Sequence, residues 1–364
     1  MALTLAPRPL DKFQIHLNST VQATAAVAIL REAATIDRVG ETVSARLAQV
    51  HALLGEDLSA VDAELARLAR VGLSPATDSA AHLLEAGGKR VRPLTVLLAA
   101  ACFGAVPVAA RDVAVVAELV HLATLLHDDV IDEGQERRGL PTSRRLWGNA
   151  VSVLAGDLLL THALERTAEV APGPVLMDLF ATLRRLVDGE VLQLRGRTRL
   201  DPSEETYFRI VGDKTGSLFG WAARAGGAIA GAPADAVAAL GDFGARVGIA
   251  FQLVDDVLDY DGDPRATGKA LLGDLVEGKL TLPLIRAIGL RPSLLEDVEA
   301  VRAGDPHAAP RVAEAVRAAG VCDAIRALAT TETEGALRAL DAIAPSPARQ
   351  LLASIASELS ARLR

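Results

Sequence analysis

Aromatic residues are scarce: seven Phe, two Tyr and two Trp make up 3% of the 364 residues, although half of the chain is apolar. A core built with so few rings must be mostly Ala, Leu and Val, side chains that suit close helix-on-helix packing. Cysteine is rarer still. Cys102 and Cys322 stand far apart with no CxxC or Cys/His spacing, which excludes a disulfide framework or a zinc site and fits a reducing cytoplasm. Positive charge is in deficit, and a net charge of −8 argues against a general nucleic-acid binder. No alternating run argues for a strand, and no repeat of about 20–50 residues is present. Long unbroken apolar runs are missing too. Pro7, Pro9 and Asp11 interrupt the segment where a signal peptide needs an apolar core, so export is not indicated. Pro93 to Ala110 is uncharged, but Gly104 and Pro107 interrupt it, and it reads as a buried helix rather than a membrane span. A soluble, cytoplasmic protein without a transmembrane segment is expected.

What is present in abundance is carboxylate in an unusual place. Leu125-Leu126-His127 leads into Asp128-Asp129-Val130-Ile131-Asp132, and Phe251-Gln252-Leu253-Val254 leads into Asp255-Asp256-Val257-Leu258-Asp259. On a helix this spacing stacks the first and last aspartates and leaves the middle one beside them. A carboxylate among Leu, Val and Ile on a core-facing helix costs several kcal/mol unless a cation or a wet cleft compensates it. Neither cluster has the glycine and spacing of an EF-hand loop. The pattern asks for a cation.

The remaining chain reads as helices. Residues 1–44 carry no motif beyond a possible helix at Ala23 to Ala34 and are taken as an N-terminal extension; residues 45–364 read as one all-α domain around a central cleft. Apolar spacing predicts helices over Glu41 to Ala69 with a break near Gly55, Arg111 to Asp132, Trp147 to Leu164, Leu176 to Leu194 with Glu190 and Gln193, and Ala234 to Tyr260. Ser203 caps a further helix that runs to Lys214-Thr215-Gly216, and Thr281-Leu282-Pro283 opens another.

Cations accompany the acids. Gly87-Gly88-Lys89-Arg90-Val91-Arg92-Pro93 pairs two glycines with three cations; Arg137-Arg138 follows the first cluster; Lys214, Lys269 and Lys279 lie around the second. Alone, the glycine-rich stretch would be a solvated basic turn and His121 a core residue. Together they change meaning. Carboxylate oxygens select Mg²⁺, which commonly bridges protein to substrate phosphate, while Lys and Arg neutralise the remaining phosphate charge. No Ser/His/Asp or Cys/His nucleophile accompanies them. A diphosphate site results, suited to heterolysis at the carbon that bears the leaving group.

Gly87 to Pro93, Asp128 to Asp132 with Arg137-Arg138-Gly139, Gly189-Glu190 with Gln193, Lys214-Thr215, Phe251 to Asp259, and Gly278 to Pro283 resemble, in order, the motif set of the trans-isoprenyl diphosphate synthases, or polyprenyl synthetases. The resemblance implies a single-domain bundle of antiparallel helices around a deep central cavity, usually a homodimer, with the acidic clusters facing each other across its mouth. It implies Asp128, Asp132 and Asp255 as main Mg²⁺ ligands, supported by Asp129, Asp256 and Asp259. Arg137, Lys214, Thr215, Gln252 and Lys279 would hold the allylic diphosphate; Lys89, Arg92, His121 and Arg138 would hold isopentenyl diphosphate. Asp128, Asp132, Lys214 and Asp255 are thus the catalytic candidates.

The helix before Asp128 would wall the tunnel that receives the product, with Val116, Val120, Ala123 and Thr124 on its face. No aromatic side chain blocks it. The DDxxD spacing, Glu190-Val191-Leu192-Gln193 and Thr281-Leu282-Pro283 resemble the longer-chain enzymes and imply a polyprenyl product beyond twenty carbons. Trp221 departs from the small residues usual there, and would either narrow the cavity or sit in the core. The competing readings are a short-chain farnesyl or geranylgeranyl diphosphate synthase, a class I terpene cyclase, which typically lacks a second DDxxD, and a non-catalytic partner subunit, which usually loses acids or arginines that are all retained here.

Overall fold

Helices dominate the computed structural model, which describes residues 40–171, 173–262 and 272–361. The reading of a helix at Ala23 to Ala34 and the position of Lys269 lie outside the described residues. Helix α1 (Gly40–Leu68) is continuous, so the expected break near Gly55 does not occur. One glycine costs a helix only about 1 kcal/mol, and the stripe Leu54, Leu58, Val61 and Leu65, all at most 5% exposed, outweighs it. The expected division at residue 44 falls inside this helix.

The uncharged stretch after Pro93 is two helices rather than one. Helices α2 (Ala76–Glu85) and α3 (Val91–Ala101) precede a break, and α4 (Val108–Ile131) starts directly after Pro107, which fixes the entry to its first turn. A small hairpin, β1 (Glu136–Arg137) paired antiparallel with β2 (Leu140–Pro141), also departs from the strand-free reading. Two-residue strands carry no detectable alternation. Their turn residues Arg138 and Gly139 both have positive φ, 54° and 75°, as a tight primed hairpin turn requires.

Helices α5 (Ser143–Trp147), α6 (Asn149–Val170) and α7 (Pro174–Thr198) follow. At α8 (Glu204–Val211) the expected cap is present, since the Thr206 amide donates to Ser203 Oγ at 3.2 Å. The α-helix does not continue to Lys214. Gly212–Gly216 forms a π turn that leads into α9 (Ser217–Ile229), and such bulges often re-aim side chains at functional sites. Then come α10 (Ala234–Asp261), α11 (Gly273–Val276), α12 (Leu282–Leu290), α13 (Leu294–Arg302), α14 (Ala308–Ala318), α15 (Val321–Ala339) and α16 (Pro347–Ala361).

The fold is all-α, as expected. Helix α4 packs on α6, α3 on α9, and α10 on both α9 and α15. Small residues permit this closeness: a Cβ on Gly244 would lie 2.4 Å from the Phe219 carbonyl oxygen. Helix α10 belongs to two cores, with Leu240 and Phe243 in one and Val254, Val257 and Tyr260 in the other. It is also the one described helix long and apolar enough to cross a membrane, yet half of its most apolar stretch is buried inside the fold. Trp221 lies in the core, fully buried, with its indole N–H donating to the Val175 carbonyl at 3.3 Å.

Candidate active site

The last turn of α4 presents the first cluster as its spacing predicts. Asp129 turns inward, 3% exposed, and accepts from Arg137 Nε and Nη2 at 2.9 and 2.8 Å. Arg137, expected on the allylic diphosphate, is thereby tied to an acid. Asp128 and Asp132 face the other way, one turn apart. Burial pushes the Asp128 carboxyl up to about 6 against the pull of Lys214. Asp132 goes in the opposite direction, because Lys279 and an ion pair to Arg197 outweigh burial and hold it below the ordinary range.

The second cluster ends α10. Asp256 is 1% exposed, with Oδ2 accepting from the Tyr207 hydroxyl at 2.6 Å and Oδ1 from Gln252 Nε2 at 2.8 Å. Thr215 donates to the other end of that amide, Gln252 Oε1, at 3.2 Å. A chain of hydrogen bonds therefore runs from the π turn through Gln252 and Asp256 to α8. Burial, and then the charge of Asp274, raise Asp256 well above a normal carboxyl and Asp259 to about 7. Asp255 is half-buried beside them.

One lysine links the first cluster to the loop beside the second. Lys279 Nζ lies 3.3 Å from Asp132 Oδ2 and 3.4 Å from Asp274 Oδ1, and 2.5 Å from Glu277. These acids outweigh burial and hold its pKa above the ordinary value. Asp274 acts on Asp256 and Asp259, and the Gly273 amide donates to Asp259 Oδ1 at 3.0 Å. The first cluster thus reaches Lys279 directly through Asp132, and the second lies beside it through Asp274 and the Gly273–Asp259 bond. Lys214 pairs with Glu190 and donates to Gln193 Oε1 at 3.3 Å, which brings α7 to the same mouth.

A second cationic group lies along the inner side of α4. The Arg92 guanidinium sits 4.6 Å from the Phe219 ring centroid, and burial lowers its pKa to about 10. His121 is held well below its usual value by burial and by Arg92, Arg138 and Arg137. Gly88 leaves room for two guanidinium groups, since a Cβ there would meet Arg138 and Arg90 Nη1 atoms at 3.1 Å each. Lys89 precedes Arg90 and is half-buried. Further down α4, Val116 and Val120 are fully buried and Ala123 is 2% exposed; the Thr124 hydroxyl donates to the His121 carbonyl at 2.7 Å.

Residues 75–319 match the family model described as polyprenyl synthetase. The chain belongs to the polyprenyl synthetase family, and the family's members are prenyltransferases. It is 37% identical over 323 residues to the heptaprenyl diphosphate synthase component 2 of Geobacillus stearothermophilus, covering 87% of this chain and 99% of that one. It is 35% identical over 315 residues to the octaprenyl diphosphate synthase of Escherichia coli, covering 85% and 97%. Among solved structures, the polyprenyl synthase of Caulobacter crescentus complexed with calcium and isoprenyl diphosphate superposes with a TM-score of 0.82 at 35% identity, covering 87% of this chain and 98% of that one.

For a polyprenyl synthetase the donor set suits a hard divalent cation. Every acid at the mouth offers carboxylate oxygen, and Asp259 Oδ2 is buried without a hydrogen-bond partner. Among the described residues, no three acid or imidazole groups converge enough to cage an ion unaided.

Sequence reasoning missed Arg197, Tyr207 and Asp274 as site residues, along with the partners of Arg90. Asp274 stands in a stretch already noted for its lysines, but nothing local marks it as the acid that meets Lys279. Arg197 reaches Asp132 from 65 positions away, so no spacing rule announces it.

Proposed function

We propose that this polyprenyl synthetase condenses isopentenyl diphosphate with an allylic diphosphate, head to tail and trans, in a Mg²⁺-dependent reaction that yields a polyprenyl diphosphate longer than C20. The observation that carries the reading is the Lys279 bridge: one cation links Asp132 of the first cluster to Asp274, whose neighbour Gly273 donates to Asp259 of the second, with further cations nearby. Bound Mg²⁺ would supply Lewis-acid stabilisation of the leaving diphosphate.

Asp128, Asp132 and Asp255 are the residues to hold the metal, with Asp129, Asp256 and Asp259 keeping them in place. Lys214, Lys279 and Arg137 take the charge of the allylic diphosphate, beside Thr215 and Gln252. Each is paired to an acid in the structure, so substrate exchanges one anionic partner for another. Lys89, Arg92, His121 and Arg138 hold isopentenyl diphosphate. His121 offers a ring N–H donor to its oxygens. The isopentenyl double bond attacks the allylic cation, and the proton then lost passes to the departing diphosphate, so that no side-chain base is required. Buried Val116, Val120 and Ala123 with Thr124 form the wall along which the apolar chain extends.

The enzyme is proposed to be cytoplasmic and homodimeric. Met177, Phe180, Val187 and Val191 stand on one face of α7, each at least 41% exposed, with Val153 and Leu154 exposed on α6. A second copy would cover this face. The relative named as component 2 makes a different partner subunit the alternative occupant. Light scattering of the purified chain separates them, since a monomer would point to a missing partner.

The reaction is tested by incubating the purified protein with isopentenyl diphosphate, Mg²⁺ and allylic starters of increasing length, then sizing the dephosphorylated products. Products beyond C20 are expected. A main product of C15 or C20 would favour the short-chain alternative, and no condensation would refute the reading.

A further inference from the structure

Arg90 stands between two residues proposed to hold isopentenyl diphosphate, yet its side chain points elsewhere. It caps the N-terminus of α3 in the left-handed region, φ 48° and ψ 31°. For a residue with a Cβ that conformation costs on the order of 1–2 kcal/mol, so surrounding contacts must hold it. They do. Arg90 Nη1 donates to Glu118 Oε1 at 2.7 Å and Nε donates to Asp62 Oδ1 at 3.1 Å, and the Arg90 side chain is only 10% exposed. Three helices, α1, α3 and α4, are joined through one guanidinium.

Glu118 is the second unusual member. It is a carboxylate 2% exposed in the middle of α4, one turn before His121 on the same face. An unpaired charge there would be costly, and removing one member of a buried pair leaves the other uncompensated. Its charge also acts favourably on Arg92 and Arg138. Arg90 and Arg138 approach the same empty space at Gly88. Glu118 is thus the shared counter-charge of three guanidinium groups that would otherwise repel one another.

We infer that Arg90 and Glu118 are positioning residues for the isopentenyl diphosphate site. Arg90 does not touch substrate; the Arg90–Glu118 pair sets the backbone that carries Lys89 and Arg92 and fixes it against the α4 face that carries His121. The inference rests on the proposed reading of that site. It predicts an effect concentrated on one of two substrates, because the allylic residues other than Arg137 lie on the π turn, α10 and the loop after α11, and Arg137 is held by Asp129 rather than by the pair.

The test is steady-state kinetics of the full-length Glu118→Gln, Arg90→Lys and Arg90→Met/Glu118→Leu variants, with KM determined separately for each substrate. Displacing a positioned group by about 1 Å costs up to about 100-fold. Glu118→Gln and the double variant should therefore raise KM for isopentenyl diphosphate by about 10- to 100-fold and leave KM for the allylic substrate within about twofold. Arg90→Lys, which keeps charge but loses the fork, should fall between them and the wild type. The double variant removes both members of the buried pair at once, leaving Asp62 to water it already reaches, and its melting temperature is measured alongside as the folding control. Wild-type KM for isopentenyl diphosphate in the double variant would overturn the inference, as would equal loss for both substrates. An Arg90→Lys defect without a Glu118→Gln defect would make Arg90 a substrate ligand and also overturn it. Calorimetric titration with isopentenyl diphosphate separates the two levels. If the wild type binds it without condensing it and the variants lose that binding, the reaction is misassigned and the positioning role stands; if the wild type does not bind it, both fall.

Discussion

Replacing Tyr207 with Phe removes one atom from a buried hydrogen bond and tests whether α8 holds the second acid cluster in place. The Tyr207 hydroxyl donates to Asp256 Oδ2 at 2.6 Å, with Tyr207 5% and Asp256 1% exposed, so neither group has water to fall back on. Hydrogen bonds to charged groups contribute about 1.5–3 kcal/mol, and an orphaned buried acceptor costs a similar amount. At about 2 °C per kcal/mol for a large domain, the metal-free melting temperature should fall by about 3–6 °C. The loss should be larger at pH 8.5 than at pH 6, because the bond serves the ionised carboxylate, whereas a protonated Asp256 makes less use of a donor. Function should change selectively. Asp256 would keep its bond from Gln252 but swing about it, so the Mg²⁺ concentration for half-maximal rate should rise several-fold, while kcat at saturating Mg²⁺ changes little. Scanning calorimetry and a Mg²⁺ titration of the initial rate measure both. An unchanged melting temperature together with an unchanged Mg²⁺ requirement would refute the assignment of Tyr207 as the prop of Asp256.

Other outcomes follow from the same geometry. Asp128→Ala or Asp255→Ala should lower the condensation rate by about 100-fold or more without unfolding the protein; near wild-type turnover in a radiolabelled isopentenyl assay would remove that residue from the metal site. Ala123→Phe should shorten the main product, read by chromatography of dephosphorylated chains. If α4 faces open space there, the melting temperature will stay near wild type, whereas filling a packed site would cost about 1–3 kcal/mol. In metal-free buffer, stability should fall as pH rises from about 6.5 to about 8, above the range in which His121, whose folded pKa is lowered, gains stability with rising pH and opposes the acids. Asp128, Asp256 and Asp259 have folded-state pKa values raised above the unfolded value near 4, so each favours folding when protonated and loses that contribution as pH passes its folded value, about 6 for Asp128 and about 7 for Asp259. Asp132 is shifted the other way and weakens the protein only in acid. Mg²⁺ with inorganic diphosphate should flatten the profile by replacing the protons, and a melting temperature that climbs through this window without metal would contradict it.

Helices, caps and the two acid clusters were legible in the residues because they are encoded within a turn or two. Ser203 announces its cap by standing before Glu204-Glu205, and the i, i+1, i+4 aspartates announce one inward and two outward carboxylates, which is how Asp129 and its neighbours are placed. The errors were also local in origin. A break at Gly55 follows from helix propensity alone, and the packing of Leu54, Leu58, Val61 and Leu65 decides otherwise. The π turn at Gly212–Gly216 has no periodic signature at all, yet it aims Lys214 at Glu190 and Thr215 at Gln252.

By itself, the sequence determined the helical class, the chemistry on offer and the residues that carry it, since these depend on composition and on neighbours three or four positions apart. Only the tertiary structure decided which opposite charges meet. Lys279 finds Asp132, Arg197 finds the same acid, Arg90 finds Glu118 and Tyr207 finds Asp256 because helix packing brings their elements together. The physical reason is range: periodicity tells which face of a helix is buried, but the partner across the gap depends on how whole helices are stacked, and that is set by the summed packing of Ala, Gly and Leu surfaces rather than by any local spacing.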